Sequence, residues 1–261
     1  MKKIVLVVAM VMAAVVAHAQ AHDKAVEEQT IEYATEQLRC EDLAAISVFI
    51  PSQLTLVDGQ EGFIEICYPV QERQYLNFGI VDGDIGKMLV VGRNGNVKPP
   101  KNTILSEDVP VYIKVSASQL RRILNRQDMI LRIERNKFAH DLQLCNTLTL
   151  GVLSESITAK DRIYIFNNGT MTCQVKHWNT AQFEVYNNGY LYVHGTTTAK
   201  HVKQTCGSKS ISNIDLAVDC QMLSILSRGK GELCYRGKAD DVKVSARGKR
   251  RAIYISELNR E

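Results

Sequence analysis

The most constraining feature of this sequence is a unit of about 20 residues that repeats between Ile163 and Ile255. The segment FNNGTMTC at residues 166–173 returns 20 residues later as YNNGYLYV. A looser frame, two apolar residues one apart and then a glycine, starts at residues 163, 183, 202, 223 and 242, in steps of 20, 19, 21 and 19. The copy at Val202 is the weakest. So regular a step predicts small units that bury their apolar faces by stacking on copies of themselves.

Within each unit, apolar residues alternate with polar ones, which is the period of a strand. The glycine that follows the asparagines, as at Gly169 and Gly189, indicates a tight bend with positive φ. Strands repeated in one sense predict an all-β fold, a parallel β-helix of about six or seven coils. A ladder of hairpins with type I′ turns is the competing interpretation. We favour the β-helix, because hairpins reverse direction and give no reason for so constant a step.

The chain divides into four predicted parts. Residues 1–19 form a signal peptide, with Lys2 and Lys3 ahead of an apolar body and a cleavage site before Gln20. Residues 20–43 are a polar segment, a tail or linker in which Ile31, Ala34 and Leu38 also allow a short helix. Residues 44–110 form a strand-rich cap whose close strands suit antiparallel pairing. Residues 111–261 form the β-helix, and 44–261 together make one domain.

Charge and hydropathy narrow the choice of partners. Removing the two lysines of the signal peptide lowers the formal charge from +4 to +2, which is not typical of a nucleic-acid-binding protein. No later apolar run is long enough to cross a bilayer. We therefore expect an exported protein without a transmembrane span and without a nucleic-acid partner.

The seven cysteines match no zinc-binding spacing. In the repeat register, Cys173 takes the place of Val193, and Cys220 takes the place of Ala199 and Ala239. No two cysteines fall at equivalent points of neighbouring coils. We predict mostly free, buried thiols, and neither a metal nor a cofactor.

Several phrases carry a resemblance to a known family. Gly-Lys-Ala-Asp at residues 237–240, between two strands, is the clearest; the others are Ile46–Val48, Leu54–Leu56, Phe78–Gly83 and Pro110–Leu120. Together they resemble the auto-transporter adhesin head GIN domain family of exported proteins from Gram-negative bacteria. The resemblance implies a right-handed parallel β-helix in the periplasm or on the outer cell surface. It implies no catalytic residues.

The bends near the C-terminus depart from the serine- and glycine-rich bends of that family because they are basic. One coil separates the two basic bends, so their side chains gather on one corner of the stack. Such a patch suits an anionic glycan, a lipopolysaccharide phosphate or a membrane surface. The alternative is a solvated rim that keeps the end of the stack soluble. The candidate ligand-binding residues are Arg228, Lys230, Arg247, Lys249, Arg250 and Arg251.

No nucleophile elbow, phosphate loop or paired metal ligands are found in the sequence. His177 and Trp178 could stack on a sugar, although a loop tryptophan that packs against the coil is the simpler interpretation. Carboxylates that could serve a polysaccharide-cleaving β-helix are Asp215, Asp219, Asp240 and Asp241.

Three functions fit this sequence. The first is a non-enzymatic, exported β-helix that acts as a surface adhesin or as a glycan- or envelope-binding module. The second is a pectinase-like, polysaccharide-degrading enzyme on the same scaffold. The third is an envelope structural protein that assembles through the open end of the β-helix.

Overall fold

The computed structural model describes residues 31–97, 110–135, 137–247 and 251–259; the predicted signal peptide lies outside these ranges. This part of the chain is almost entirely strand, and its one short helix is a 3₁₀ turn, Val70–Tyr75. No helix within it is both long and apolar enough to span a membrane. The strands are β1 (Tyr33–Arg39), β2 (Leu43–Val48), β3 (Ser52–Leu56), β4 (Phe63–Pro69), β5 (Leu76–Gly83), β6 (Gly86–Arg93), β7 (Val111–Ser116), β8 (Arg122–Asn125), β9 (Met129–Ile133), β10 (Lys137–Phe138), β11 (Leu142–Asn146), β12 (Thr149–Ala159), β13 (Arg162–Asn167), β14 (Thr170–Asn179), β15 (Gln182–Asn187), β16 (Tyr190–Cys206), β17 (Ile211–Ser227), β18 (Gly231–Ala246) and β19 (Arg251–Leu258).

The strands wind into a parallel β-solenoid of about six turns, which confirms the predicted β-helix. One wall carries the parallel ladder β8–β11–β13–β15, which continues through the second halves of β16, β17 and β18. A second wall carries β9–β12–β14, which continues through the first halves of β16, β17 and β18 to β19. Because Ile163 faces Phe183, and Phe183 faces Val202, in parallel register, the hairpin interpretation is excluded.

An apolar spine runs through the solenoid, as the repeat predicts. Ile165 lies beside Val185, and Ile225 lies beside Val244, in adjacent coils. Between Val185 and Ile225 the same position holds Gln204, which is only 1% exposed. Its Nε2 donates to Sγ of Cys206 at 2.9 Å, so the buried amide has a partner. This polar residue in the spine explains why the repeat is weakest there.

The glycines of the Asn-Gly bends serve a different purpose from the predicted one. Neither Gly169 nor Gly189 has positive φ, so the predicted left-handed bend is wrong. A Cβ on Gly169 would lie 2.0 Å from the carbonyl oxygen of Leu148, and one on Gly189 would lie 2.0 Å from that of Gly169. Glycine is required because neighbouring coils bring their backbones together at this corner.

Buried asparagines stack at the same corner. The side-chain Nδ2 of Asn125 donates to Oδ1 of Asn146, that of Asn146 to Asn167, and that of Asn167 to Asn187, at 2.8–2.9 Å. The Nδ2 atoms of all four asparagines also lie within hydrogen-bond distance of backbone carbonyls. The network therefore satisfies polar groups at a turn that packing has closed to water.

The N-terminal half of the structure differs from the sequence-based expectations in two respects. Residues Tyr33–Arg39 form strand β1, antiparallel to β4, and not a helix or a tail. Antiparallel pairing holds for β4 with β7 and for β5 with β6. By contrast, β2 and β3 lie in parallel register with β8 and β9. The parallel ladders thus extend into the region expected to be a cap, and the division into folding units at residue 110 stays a prediction.

All seven cysteines are free, four of them buried, which confirms the prediction for the thiols. Cys173 lies beside Val193, and Cys220 lies between Ala199 and Ala239. Desolvation by burial raises the pKa of the Cys173 thiol far above its ordinary value. These cysteines act as small apolar side chains of the core.

Candidate functional site

The predicted basic patch is a corner of the solenoid that two coils share. The backbone N–H of Arg228 donates to the carbonyl of Cys206, and that of Arg247 donates to the carbonyl of Ser227, at 3.0 Å each. Arg247 therefore occupies the position of Arg228 one coil further on, at the strand spacing of about 4.8 Å. Lys230 follows in the same bend and pairs with Ile211. The structure thus brings these three residues to one corner.

Of the other three members of the predicted patch, the structure describes only the backbone of Arg251. Lys249 and Arg250 lie outside the described residues. Arg251 begins β19, and its backbone is in register with Gly231. We call Arg228, Lys230 and Arg247, the members whose side chains the structure describes, the basic corner. Lys209, an exposed cation in the same turn one coil earlier, was not among the predicted residues; in its bend, Gly207–Ser210, the lysine lies two residues after a glycine.

The cations of the basic corner are exposed, and no described carboxylate forms an ion pair with any of them. Arg236, on another wall, is different, because Asp215 accepts a hydrogen bond from its Nη2. Unpaired cations at a repeated spacing attract a polyanion, and the attraction is screened by salt. This arrangement can hold an extended anion.

The four acidic candidates do not form a common site. Asp215 is held by Arg236 and lies 3.4 Å from Nδ1 of His194. Asp241 pairs with Lys243 at 3.2 Å. Asp219 and Asp240 are exposed, close enough to the buried Cys220 to help raise the pKa of its thiol, after desolvation, to about 11. Among the described residues no three His, Cys, Asp or Glu side chains gather as a metal site requires.

Trp178 is a core residue, and the sugar-stacking interpretation of His177–Trp178 is wrong. Its side chain is 0% exposed, lies in strand β14 and packs at 5.1 Å against the ring of Phe183. The neighbouring His177 is exposed and shares a hydrogen bond of 2.7 Å with Oγ1 of Thr196. The simpler interpretation, packing against the coil, is right, although the residue lies in a strand and not in a loop.

A shallow groove of about 270 Å³ lies on the wall of the first coils, and the sequence analysis did not single out its residues. Glu65 faces Lys114 across the antiparallel pair β4–β7. Tyr112, beside Gln53, adds an aromatic ring that is partly exposed. The outward positions of alternating strands are the only sequence signal for these residues. The lining residues are Gln53, Thr55, Val57, Glu65, Cys67, Tyr112, Ile113, Lys114 and Glu134.

Comparison with known proteins shows the fold. No family model matches this sequence, and no curated protein matches it. Among solved structures, a Bacteroides fragilis protein described as a "putative adhesin" matches with a TM-score of 0.65 and 12% identity, over 86% of this chain and 97% of its own. The two chains share one fold. A "putative adhesin" from Parabacteroides merdae matches over 85% of this chain and 95% of its own at 16% identity, but its TM-score of 0.48 supports no further comparison.

Proposed function

We propose that this protein is an exported, non-enzymatic surface-binding module, adhesin-like, which binds anionic glycan or the cell envelope through its basic corner. The observation that carries the proposal is the stacking of Arg228 and Arg247 at successive levels, exposed and without a described carboxylate partner. A solenoid repeats such a position along its axis, and an anionic polymer repeats its charges in the same way. The fold shared with proteins described as adhesins is consistent with this function but does not carry it.

The proposal also covers the family of the protein and its location in the cell. We infer that the chain belongs to the auto-transporter adhesin head GIN domain family and works in the periplasm or on the outer surface of a Gram-negative bacterium. Two features support this inference: the signal-peptide pattern of residues 1–19, and the sequence phrases that resemble the family. Mass spectrometry of the protein recovered from an expressing Gram-negative cell tests the first step. A chain that begins at Gln20 supports export, and an intact Met1 in all fractions contradicts it.

Binding to a defined acidic polysaccharide, polygalacturonate, tests the basic corner. Titration calorimetry at low and high salt should give an affinity that falls as salt rises. The triple variant Arg228→Ser, Lys230→Ser and Arg247→Ser should lose at least about tenfold in affinity, the loss of roughly 1.4 kcal/mol.

The matched control removes the same charge elsewhere. Lys137, Lys160 and Lys200 are exposed, lie away from the basic corner and form no ion pair with a described residue. Their triple serine variant should bind polygalacturonate nearly as the parent does. Equal losses in the two variants would mean that only net charge matters, and the basic corner would not be a site.

The pectinase-like enzyme remains the second candidate because one observation favours it. Two carboxylates, Glu65 and Glu134, and the amine of Lys114 line the same groove. Carboxylate pairs cleave glycosidic bonds in many enzymes. Incubation with polygalacturonate should release no new reducing ends under the main proposal. Release that Glu65→Gln or Glu134→Gln abolishes would establish the enzyme instead.

A further inference from the structure

An exposed row on the outer wall of the later coils leads from an aromatic ring to the basic corner. Tyr190 lies beside Ile211 in adjacent coils, and Ile211 lies beside Lys230 one coil further on. The side chain of Tyr190 is 42% exposed and that of Ile211 is 40% exposed. At the strand spacing of about 4.8 Å, the backbones of Tyr190 and Lys230 are roughly 10 Å apart. An apolar surface two residues wide therefore borders the cations.

Buried asparagines hold the backbone beneath this row. Nδ2 of Asn167 donates to the carbonyl oxygen of Tyr190 at 2.8 Å, and Nδ2 of Asn187 donates to that of Ile211 at 3.0 Å. Both donors belong to the asparagine stack and are completely buried. The backbone that carries the two exposed side chains is thus fixed from inside the solenoid, which makes the row a rigid support for a ligand.

The side chain of Tyr190 leans along the wall toward the next coil. Nδ2 of Asn213 donates to its hydroxyl oxygen at 3.4 Å. Asn213 is itself oriented by the coil after that, because its Oδ1 accepts the backbone N–H of Glu232 at 3.2 Å. Since Tyr190 pairs with Ile211, the bond to Asn213 is a diagonal contact, which an aromatic side chain is long enough to make. A ring that leans over the wall turns one face to solvent.

Other aromatic rings of these coils have their faces covered. Phe166 and Tyr186 stack on each other with their ring centroids 5.4 Å apart and an interplanar angle of 4°, so each ring covers one face of the other. Tyr164 lies tilted against Phe166 at 6.4 Å. Tyr190 differs from these residues because it offers a ring face beside an exposed aliphatic side chain and in the same row as a cation.

We propose that Tyr190 and Ile211 form a platform for the pyranose rings of an acidic polysaccharide whose carboxylates bind the basic corner. The inference rests on the proposed function and specifies its ligand. The C–H groups on one face of a pyranose are apolar and carry a slight positive charge, so they complement the negative face of an aromatic ring. A carboxylate on a sugar at this platform lies toward Lys230, whose flexible side chain carries three donors.

The neighbouring residue Glu232 favours a sugar over a membrane surface as the ligand. Glu232 is exposed and lies two residues after Lys230, on the same side of strand β18. Its carboxylate repels the anionic lipids that the basic corner would attract, but it accepts hydrogen bonds from the hydroxyls of a sugar. An isolated phosphate would need only the cations and would gain nothing from the apolar platform.

Two polyanions test the platform: polygalacturonate, which has sugar rings, and inorganic polyphosphate, which has none. Titration calorimetry at one fixed salt concentration should show that Tyr190→Ser weakens polygalacturonate binding roughly three- to tenfold. The same variant should bind polyphosphate as the parent does, which also shows that it is folded. Tyr190→Phe keeps the ring and should bind polygalacturonate nearly as the parent does.

Tyr112→Ser is the matched control. Tyr112 is similarly exposed, at 38%, on a wall position that β3, β9, β12 and β14 separate from β16. This variant should bind both polyanions as the parent does, and the triple serine variant of the basic corner should lose affinity for both. If the triple variant loses both but Tyr190→Ser binds polygalacturonate as tightly as the parent, the platform is refuted and the basic corner stands. If the triple variant keeps both affinities, the proposed function fails as well.

Vesicles of phosphatidylcholine and phosphatidylglycerol give the membrane surface its own test. Under the proposal, Tyr190→Ser binds these vesicles as the parent does, because the ring contacts a sugar and not a lipid. Weaker vesicle binding by Tyr190→Ser, together with unchanged binding of polygalacturonate, would show that the ring enters a membrane and would overturn the inference.

Discussion

Asn146 donates its side-chain amide to Oδ1 of Asn167, one coil further on, across 2.8 Å. The two residues are 21 positions apart in sequence and both are completely buried. Their bond is one step of an asparagine stack that closes the same corner in successive coils. A network of this kind is stable because each member satisfies the next, and it is vulnerable because removing one member leaves its neighbours without partners.

Replacing Asn167 by alanine should therefore lower the free energy of unfolding by about 2–4 kcal/mol. The substitution leaves Nδ2 of Asn146 and Oδ1 of Asn187 each short of a partner. Urea unfolding followed by circular dichroism measures the loss. Asn188→Ala is the control, since Asn188 is exposed and its Nδ2 makes one exposed bond, to Asn168; its effect should stay within about 0.5 kcal/mol. Similar losses in both variants would contradict the role of the stack.

Gly189→Ala should be among the most destabilising single-methyl additions in this chain. The new Cβ would lie 2.0 Å from the carbonyl oxygen of Gly169, a backbone atom that cannot move without shifting a coil. We expect a loss of at least about 3 kcal/mol in the free energy of unfolding, at or beyond the upper end of ordinary overpacking. Gly151→Ala is the matched control, because nothing lies within 4 Å of its added Cβ. That variant should unfold at the parent's denaturant concentration or slightly above it. A stable Gly189→Ala protein would show that the coils are not packed this closely.

The single tryptophan reports on the core. Because Trp178 is 0% exposed and its Nε1 has no hydrogen-bond partner among the described residues, its fluorescence should be blue-shifted and resistant to iodide. Urea should move the emission to the red as the solenoid unfolds. Mono- and oligosaccharides should leave the folded spectrum unchanged. Strong iodide quenching of the folded protein would place this ring on the surface.

The thiols should be unreactive until the chain unfolds. Denatured, non-reduced protein should give seven thiols with a disulfide reagent, and the folded protein far fewer. A denatured count that falls short by two or more would indicate a disulfide.

Alkaline pH should destabilise the fold because it ionises two of the buried cysteines. Burial raises the pKa of Cys40 and of Cys220 from 9.0 to about 11. A raised folded-state pKa means that the native state holds its proton more tightly than the unfolded chain does. The contribution to stability is thus complete below pH 9 and is lost between about pH 9 and 11. Urea midpoints measured across this range should fall for the parent and fall less for Cys40→Ala with Cys220→Ala. Equal slopes would show that other groups control the alkaline loss.

The apolar residues at 163, 165, 183 and 185 predicted both the strands and their parallel stacking, because a repeated unit with a constant step permits few arrangements. The same register placed Cys173 and Cys220 correctly in the core. It also brought Arg228 and Arg247 to one corner, since each is the same residue of its own coil. The sequence indicated bends at these glycines, but for the wrong reason. Gly189 is required because the backbone of the neighbouring coil, at Gly169, lies against it. A rule for local turns cannot detect that contact.

The amino-acid sequence by itself determined the repeat, the strand period and therefore the solenoid, because these depend on neighbours within one unit. Tertiary structure decided what depends on the distance between coils. It put Gln204 into an aliphatic spine with a sulfur as its partner, joined four asparagines into one stack, and buried Trp178. It also drew β2 and β3, which carry no copy of the repeat, into the parallel ladders, and left Val244 uncovered. For the asparagine stack and for the pairing of β2 and β3, the deciding contact joins residues about 20 or more positions apart, where the backbone of another coil, and not the local sequence, sets the space available.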